Sequence, residues 1–366
     1  MHGTTRTHRA DVAAMRQPTI AAPLLLPPVS FRGHALTPIA LGRDTPPLLQ
    51  VIIDAEEEFD WAGPFDRRNV AVENLAHQEK AQRIFERYGI RPTYVVDYAV
   101  ASQEQGFAPL RAILARDAAD IGAHLQPWIN PPFDDAIELS HATRYSFPGN
   151  LPPALEHAKL RALTERIEAN LGIRPKVYRA GRYGIGASSF EIIEALGYEV
   201  DASVLPRIDL SDKGGADFGA VGPEPFWFGS GRKRLGIPLS AGFTGVFASC
   251  YRWLDKTVNY PLVEAARVKA AASRFGLFDR ICLSPEGFTL AEQKRLTRRM
   301  LARGQRLFNL SYHSPSLLPG STPYVRNEKE LAAFLDRLEA YLVWFAGELG
   351  GCFTTPLEIK RLLEER

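Results

Sequence analysis

Cysteine is scarce: only Cys250, Cys282 and Cys352 occur in 366 residues. They are far apart and odd in number, so the chain has no disulfide framework and no CxxC metal pair, which fits a reducing compartment. Charge bias is lacking too. Lys and Arg total 44 against 42 Asp and Glu, a net +2, which leaves no electrostatic case for a nucleic-acid partner or an anionic membrane surface. No apolar run reaches the roughly eighteen residues of a membrane span. The apolar piece Ile20–Leu26 is too short for the core of an export signal and carries Pro23 inside it, so a cytoplasmic location is the expectation. No repeat recurs at a fixed period, and no Gly-Lys-Ser/Thr follows Gly181, Gly184 and Gly186, so these glycines resemble a phosphate loop only superficially.

What remains is an ordinary globular composition, 45% hydrophobic and 23% charged, on a chain long enough for one large α/β domain or two medium ones. Residues 1–47 are rich in Pro, Thr, Arg and Ala. They read as a poorly ordered arm, or as a strap over a body that spans 48–366.

The body opens on Leu49–Trp61 (LQVIIDAEEEFDW). An apolar strand breaks into Asp54, Glu56, Glu57, Glu58 and Asp60. If strand geometry persists, Asp54, Glu56 and Glu58 alternate onto one face. Converging carboxylates need compensation from a metal ion, a bound cation or an arginine, unless the chain simply leaves the core there. Further strands are expected at Pro92–Val96, Ile121–His124, Lys176–Arg179, Glu199–Val204, Leu307–Tyr312 and Cys352–Thr355. Helices are expected at Leu75–Tyr88, Phe107–Arg116, Ala154–Leu171, Ser188–Leu196, Val263–Phe275, Leu290–Arg303 and Glu328–Leu349. Residues 209–247 read as β-structure or an insertion. Strand–helix alternation of this kind implies a parallel sheet with right-handed crossovers. The long segment 125–153 carries Trp128, Phe133, Tyr145 and Phe147, rings that suit a sugar-binding surface or simply pack the loop down.

Asp54 with Glu56, His124, Arg179 and His313 each fall at the C-terminal end of an expected strand, the face on which parallel-strand barrels assemble active sites. A single histidine there is most often structural, but four such ends with acid, His, Arg and His point to chemistry. These residue types suit hydrolysis at a carbonyl. A metal held by a carboxylate and a histidine polarises the substrate oxygen. A carboxylate kept ionised by an arginine takes a proton from water, and a second histidine protonates the leaving group.

The ordered segments IIDAEEEFDW, IGAHLQPW, YRAGRYG, DASV and LSYHSPSL resemble the polysaccharide deacetylase (NodB-homology) superfamily, most closely its WalW-like branch, over roughly residues 48–320. The resemblance implies an irregular (β/α)7-type barrel across 48–366 and metal-dependent removal of N-acetyl groups from a sugar or polysaccharide precursor. It makes Asp54 the catalytic base, Arg179 its orienting partner and His313 the general acid. Glu56 and His124 become ligands of a divalent metal, by implication zinc, with Glu58 in reserve and Glu57 turned away. Trp61 and Trp128 become substrate contacts, with Tyr183 at the oxyanion. An N-acylated carbohydrate is the implied partner.

The pattern departs from the family in two places. Ala55 separates Asp54 from Glu56, where the commoner motif has adjacent aspartates. Trp128 stands where the second histidine of the second motif belongs, with Gln126 at i+2. His141 and His157 could substitute only by folding back over the barrel mouth. Trp227, Trp253 and Trp344 are read as core, and Glu286 as the cap of the helix near Thr289. The rival readings are a degenerate glycan-binding or regulatory barrel, and a glycoside hydrolase pairing Asp54 with Glu286.

Overall fold

The computed structural model describes residues 20–61, 63–138, 142–244 and 279–366. The expected helix Val263–Phe275, His141, Cys250 and Trp253 lie outside the described residues. The strands are β1 (Leu24–Leu25), β2 (Val29–Phe31), β3 (His34–Ala40), β4 (Leu48–Ala55), β5 (Thr93–Val96), β6 (Asp120–Leu125) and β7 (Val177–Ala180). After them come β8 (Val200–Asp201), β9 (Phe226–Phe228), β10 (Arg234–Gly236), β11 (Ala241–Thr244), β12 (Asp279–Cys282), β13 (Leu307–His313) and β14 (Cys352–Phe353).

The centre of the sheet runs β10-β8-β7-β6-β5-β4-β13, with every neighbour parallel. Chain leaving β10 closes the gap back to β13. Ile237 N–H donates to Asp201 O (2.8 Å), Leu283 N–H to Ser240 O (2.7 Å) and Ser311 N–H to Leu283 O (3.1 Å). The result is the irregular barrel that the family resemblance implied, built on the parallel sheet that the strand–helix alternation implied. Residues 20–47, expected as an arm or strap, carry β1 to β3. Of these, β3 pairs antiparallel with β9 and so extends the main sheet.

Two apolar clusters show which way each strand faces. Leu48, Ile52, Val95, Val177, Val200 and Leu307 share one with Ile359 and Leu363 of the C-terminal helix Pro356–Glu364. Leu49, Val51, Ile53, Tyr94, Ala123, Tyr178, Phe308 and Leu310 share the other with the surrounding helices. Because side chains alternate along a strand, Asp54, His124, Arg179 and His313 all fall on the face of the first cluster, the barrel interior. Burial of both faces also explains the near-continuous apolar run before Asp54, in which all of β4 is buried.

Helices cover the outside. The longest among the described residues, Glu328–Gly347, starts on Asn327, whose side chain accepts from Glu330 N–H, and buries Leu331, Phe334, Leu338, Tyr341 and Phe345. These recur at helical spacing. No helix among the described residues is long and apolar enough to cross a membrane.

Candidate active site

Strand register brings the polar residues together before any side chain is placed. His313 lies opposite Asp54 across the β13–β4 pair, and His124 opposite Arg179 across the β6–β7 pair. Arg179 is fully buried, and Asp54 is 3% exposed. The guanidinium Nη1 donates to Asp54 Oδ1 at 2.5 Å and to Ser311 Oγ at 2.6 Å, while Nε donates to Ala202 O at 3.1 Å. Burial alone would raise the Asp54 carboxyl. Arg179, helped by His124 and His313, more than offsets that and holds it below its ordinary range.

On the other side of Asp54, its Oδ2 stands 3.8 Å from His313 Nε2. The opposite nitrogen, Nδ1, meets Glu286 Oε2 at 2.8 Å, and Glu286 Oε1 accepts His313 N–H at 3.1 Å and the Ser316 hydroxyl. Burial opposes charge on this imidazole, but Glu286 first, then Glu56 and Asp54, push it up to about 10. His313 is therefore an imidazolium at neutral pH. Glu286 had been expected to cap a helix. The cap of Leu290–Ala302 is instead Thr289, in a reciprocal box with Glu292, which leaves Glu286 for the histidine.

Glu56 follows β4 directly. Its Oε2 lies 3.3 Å from His124 Nε2 and accepts Gln126 Nε2–H at 2.6 Å. His124 Nδ1 sits 3.1 Å from Arg179 O, which fixes that nitrogen as the donor and turns Nε2 toward Glu56. Burial disfavours a charged His124, but hydrogen bonding to Glu56 and the charge of Asp54 raise its pKa overall. Glu56 and His124 are thus the residues that would hold a divalent cation. No group of three or more His, Cys, Asp or Glu able to hold one occurs among the described residues. Two donors fall short of the three that catalytic zinc usually takes.

The acids next to Glu56 do not behave as the sequence suggested. Glu57, expected to turn away, is fully buried, with Oε1 accepting the Trp128 indole N–H at 2.9 Å and Oε2 near Gln126 Nε2 at 3.3 Å. Burial, together with the neighbouring Asp97, raises the Glu57 carboxyl well above its usual range. Asp97 itself accepts Glu57 N–H (2.7 Å) and Val100 N–H (2.7 Å). Glu58, the reserve ligand, is turned to a loop, where Oε1 accepts Asn74 N–H at 2.8 Å. The place of a second histidine is thus filled by an indole whose one donor is already engaged.

Above these groups a cavity of about 550 Å³ opens, lined by Asp54, Glu56, Trp61, Tyr183 and His313 among others. Trp61 is 40% exposed, with its ring 5.2 Å from the His313 ring and nearly perpendicular to it. Trp128 packs on Phe65 (4.9 Å) and Phe59 (5.7 Å). Tyr183 and Arg182 both adopt φ of 57°, a left-handed pair that turns the chain sharply after β7. Gly181 precedes them because a Cβ there would fall 2.6 Å from Leu125 O. His157 sits on the helix Pro153–Leu171 and is not among the cavity residues.

Sequence reasoning considered Glu286 as a helix cap or a glycosidase acid but not as the partner of His313, and it did not find Asp97 or the inward turn of Glu57. Glu286 lies 27 residues before His313, and nothing in SPEGF distinguishes a partner from a cap. The signal for Asp97 was available: an acid directly after the buried strand TYVV, one residue before a helix.

No protein-family model matches the sequence, and no curated protein matches it. The fold does have relatives among solved structures. A candidate polysaccharide deacetylase from Mycobacterium smegmatis superposes with a TM-score of 0.53 at 14% identity, over 95% of this chain and 96% of that one. Puue allantoinase superposes with a TM-score of 0.50 at 15% identity, over 87% and 90%. The likeness spans nearly the whole of each chain, and it is one of fold.

Proposed function

Proceeding from a barrel with the fold of the polysaccharide deacetylases, we propose that this chain is an amide hydrolase that removes an acyl group, such as acetyl, from an N-acylated sugar. The observation that carries this reading is the placement of Asp54 between Arg179 and His313. At 3.8 Å the gap between Asp54 Oδ2 and His313 Nε2 is too long for a direct hydrogen bond, and both residues line the cavity. One is a carboxylate held ionised and the other an imidazolium, which is the pairing acid–base chemistry at an amide requires.

In this reading Asp54 accepts a proton from a water that attacks the amide carbonyl. His313 then delivers its Nε2 proton to the departing nitrogen as the tetrahedral intermediate collapses to the carboxylic acid and the free amine. Arg179 fixes the Asp54 carboxylate, and Glu286 keeps His313 charged and aimed. Trp61 lies edge-on to His313 and supplies a face for a sugar ring. Glu56 and His124 would hold a divalent cation, which when bound would polarise the carbonyl. Since these two donors fall short of a zinc centre, the steps above use only the chain's own residues.

The test is acetate release from N-acetylated saccharides by the wild type, Asp54→Asn and His313→Asn. Each variant is expected to lose on the order of a hundredfold or more. Undiminished turnover in both would remove the mechanism. New reducing ends without acetate would point instead to a glycoside hydrolase.

A second reading, a glycan-binding barrel without turnover, is favoured by one observation: Gln126 and Trp128 occupy the hydrogen-bonding positions of Glu56 and Glu57. Glycan binding with no acetate release, even with added divalent metal, would select it.

A further inference from the structure

The cavity has a wall that the hydrolytic groups do not use. Arg182 and Lys213 both line it. Among the described residues, Arg182 has no acidic partner. Its guanidinium lies 4.0 Å from the Phe147 ring centroid and 4.5 Å from that of Phe65, and Nη1 donates to the Ser146 hydroxyl. Burial depresses the guanidinium to about 10. Phe147 also packs against the turn that follows Lys213, its ring 2.9 Å from where a Cβ on Gly215 would stand. Lys213 forms no ion pair among the described residues and is exposed.

Among the described residues, the only carboxylates lining the cavity are Asp54 and Glu56, and both are already engaged, by Arg179 and by Gln126 and His124. A partly buried cation stacked between two rings and left unneutralised is costly unless it serves an anion. Nη1 is taken by the Ser146 hydroxyl and, at 3.4 Å, by Thr143 O. No other hydrogen bond of the guanidinium occurs among the described residues, so its remaining N–H groups are the ones that would meet a planar or tetrahedral oxyanion.

We propose that Arg182 and Lys213 form an anion subsite, so that the N-acylated sugar bound here carries a carboxylate or phosphate group. The proposal builds on the hydrolase reading for the identity of the sugar, but anion binding can be measured without turnover.

The experiment is calorimetric titration of the full chain with N-acetylglucosamine, N-acetylmuramic acid and N-acetylglucosamine 6-phosphate, with acetate release followed in parallel. The expected result is that at least one anionic sugar binds about tenfold or more tightly than the neutral one. Arg182→Gln and Lys213→Gln should each reduce that preference, and Arg182→Lys should retain part of it. The carboxylate and phosphate arms separate the two sources of charge. Lys213 is exposed, so its variant reports on the subsite even if Arg182→Gln fails to fold. Equal affinity for all three sugars, absence of binding by both anionic sugars, or a preference that survives Lys213→Gln undiminished would overturn the subsite. An intact preference without acetate release would sink the hydrolase reading alone.

Discussion

Arg179 donates to Asp54 across 2.5 Å at a point in the barrel where the guanidinium is fully buried and the carboxylate nearly so. Each charge is the other's solvent. The pair sits between β7 and β4, strands that are not neighbours in the sheet, so it ties opposite sides of the barrel together. The same contact keeps Asp54 ionised below its ordinary range.

Removing one partner should therefore do more harm than removing both. Arg179→Met leaves an uncompensated buried carboxylate, at a cost on the order of 3–5 kcal/mol. The double variant Arg179→Met/Asp54→Asn should recover a large part of that loss. Denaturant unfolding of the two single variants and the double variant measures the coupling. Additive losses would mean that the ion pair does not govern this region.

A second expectation concerns pH. In the proposed mechanism His313 serves as the acid only while protonated, so activity should be lost as pH rises through its pKa, which Glu286 holds at about 10. Asp54 would serve as the base only while ionised, so activity should fall on the acid side, below the ordinary carboxylate range. Glu286→Gln keeps the shape of the side chain but removes its charge. It should move the alkaline limb down by at least about one pH unit and leave the acid limb in place. A profile that falls uniformly, with both limbs unmoved, would give Glu286 a purely structural role.

A third concerns metal. Because Glu56 and His124 are the only metal donors brought together there among the described residues, and Gln126 Nε2 already donates to Glu56 at 2.6 Å, the purified wild type is expected to hold no stoichiometric zinc. Gln126→His places an imidazole where the amide now sits and supplies a third donor. Its zinc affinity should rise by about tenfold or more. Elemental analysis and zinc titration read both quantities. Stoichiometric zinc in the wild type that disappears in His124→Ala would show that a donor outside the described residues completes the site.

How much of this was legible in the sequence depended on range. Asp54, His124, Arg179 and His313 could be placed because each ends a short β-branched or apolar run, and parallel strands point their C-terminal ends at a common face. The alternation that puts them on one surface is local. What could not be read is what each side chain does with its second polar atom. Glu57 is drawn inward by Trp128, 71 residues away, and by Asp97, 40 residues away. These contacts are decided by loop paths, not by strand period. The strand β3 was hidden for the same reason: its partner β9 lies almost two hundred residues further along, and HALTPIA carries a proline that argues against a strand interior.

Stability should also depend on a carboxyl outside the site. Glu156, on the helix Pro153–Leu171, is 2% exposed and accepts the Ser189 hydroxyl at 2.5 Å. Ser189 in turn accepts Gly186 N–H at 2.8 Å, and Gly186 packs so closely on Gly149 that a Cβ on either would overlap the other's backbone. Burial pushes the Glu156 carboxyl up to about 8, from an ordinary 4.5. Between those values the folded chain holds a proton that the unfolded chain releases. The stability this gives is complete below the unfolded pKa and declines as pH rises toward 8. The full swing is on the order of 5 kcal/mol. Glu156→Gln removes the titration and keeps the shape, so the wild type should lose stability relative to this variant between about pH 5 and about pH 8.5. Denaturant unfolding at several pH values in that range measures the difference, which also cancels the contributions of other buried acids. A difference that stays flat with pH would show that Glu156 does not titrate there. A falling one would tie the packing of the 148–150 and 184–187 loops, which flank Phe147 and Arg182 at the cavity, to the protonation of a single helix residue.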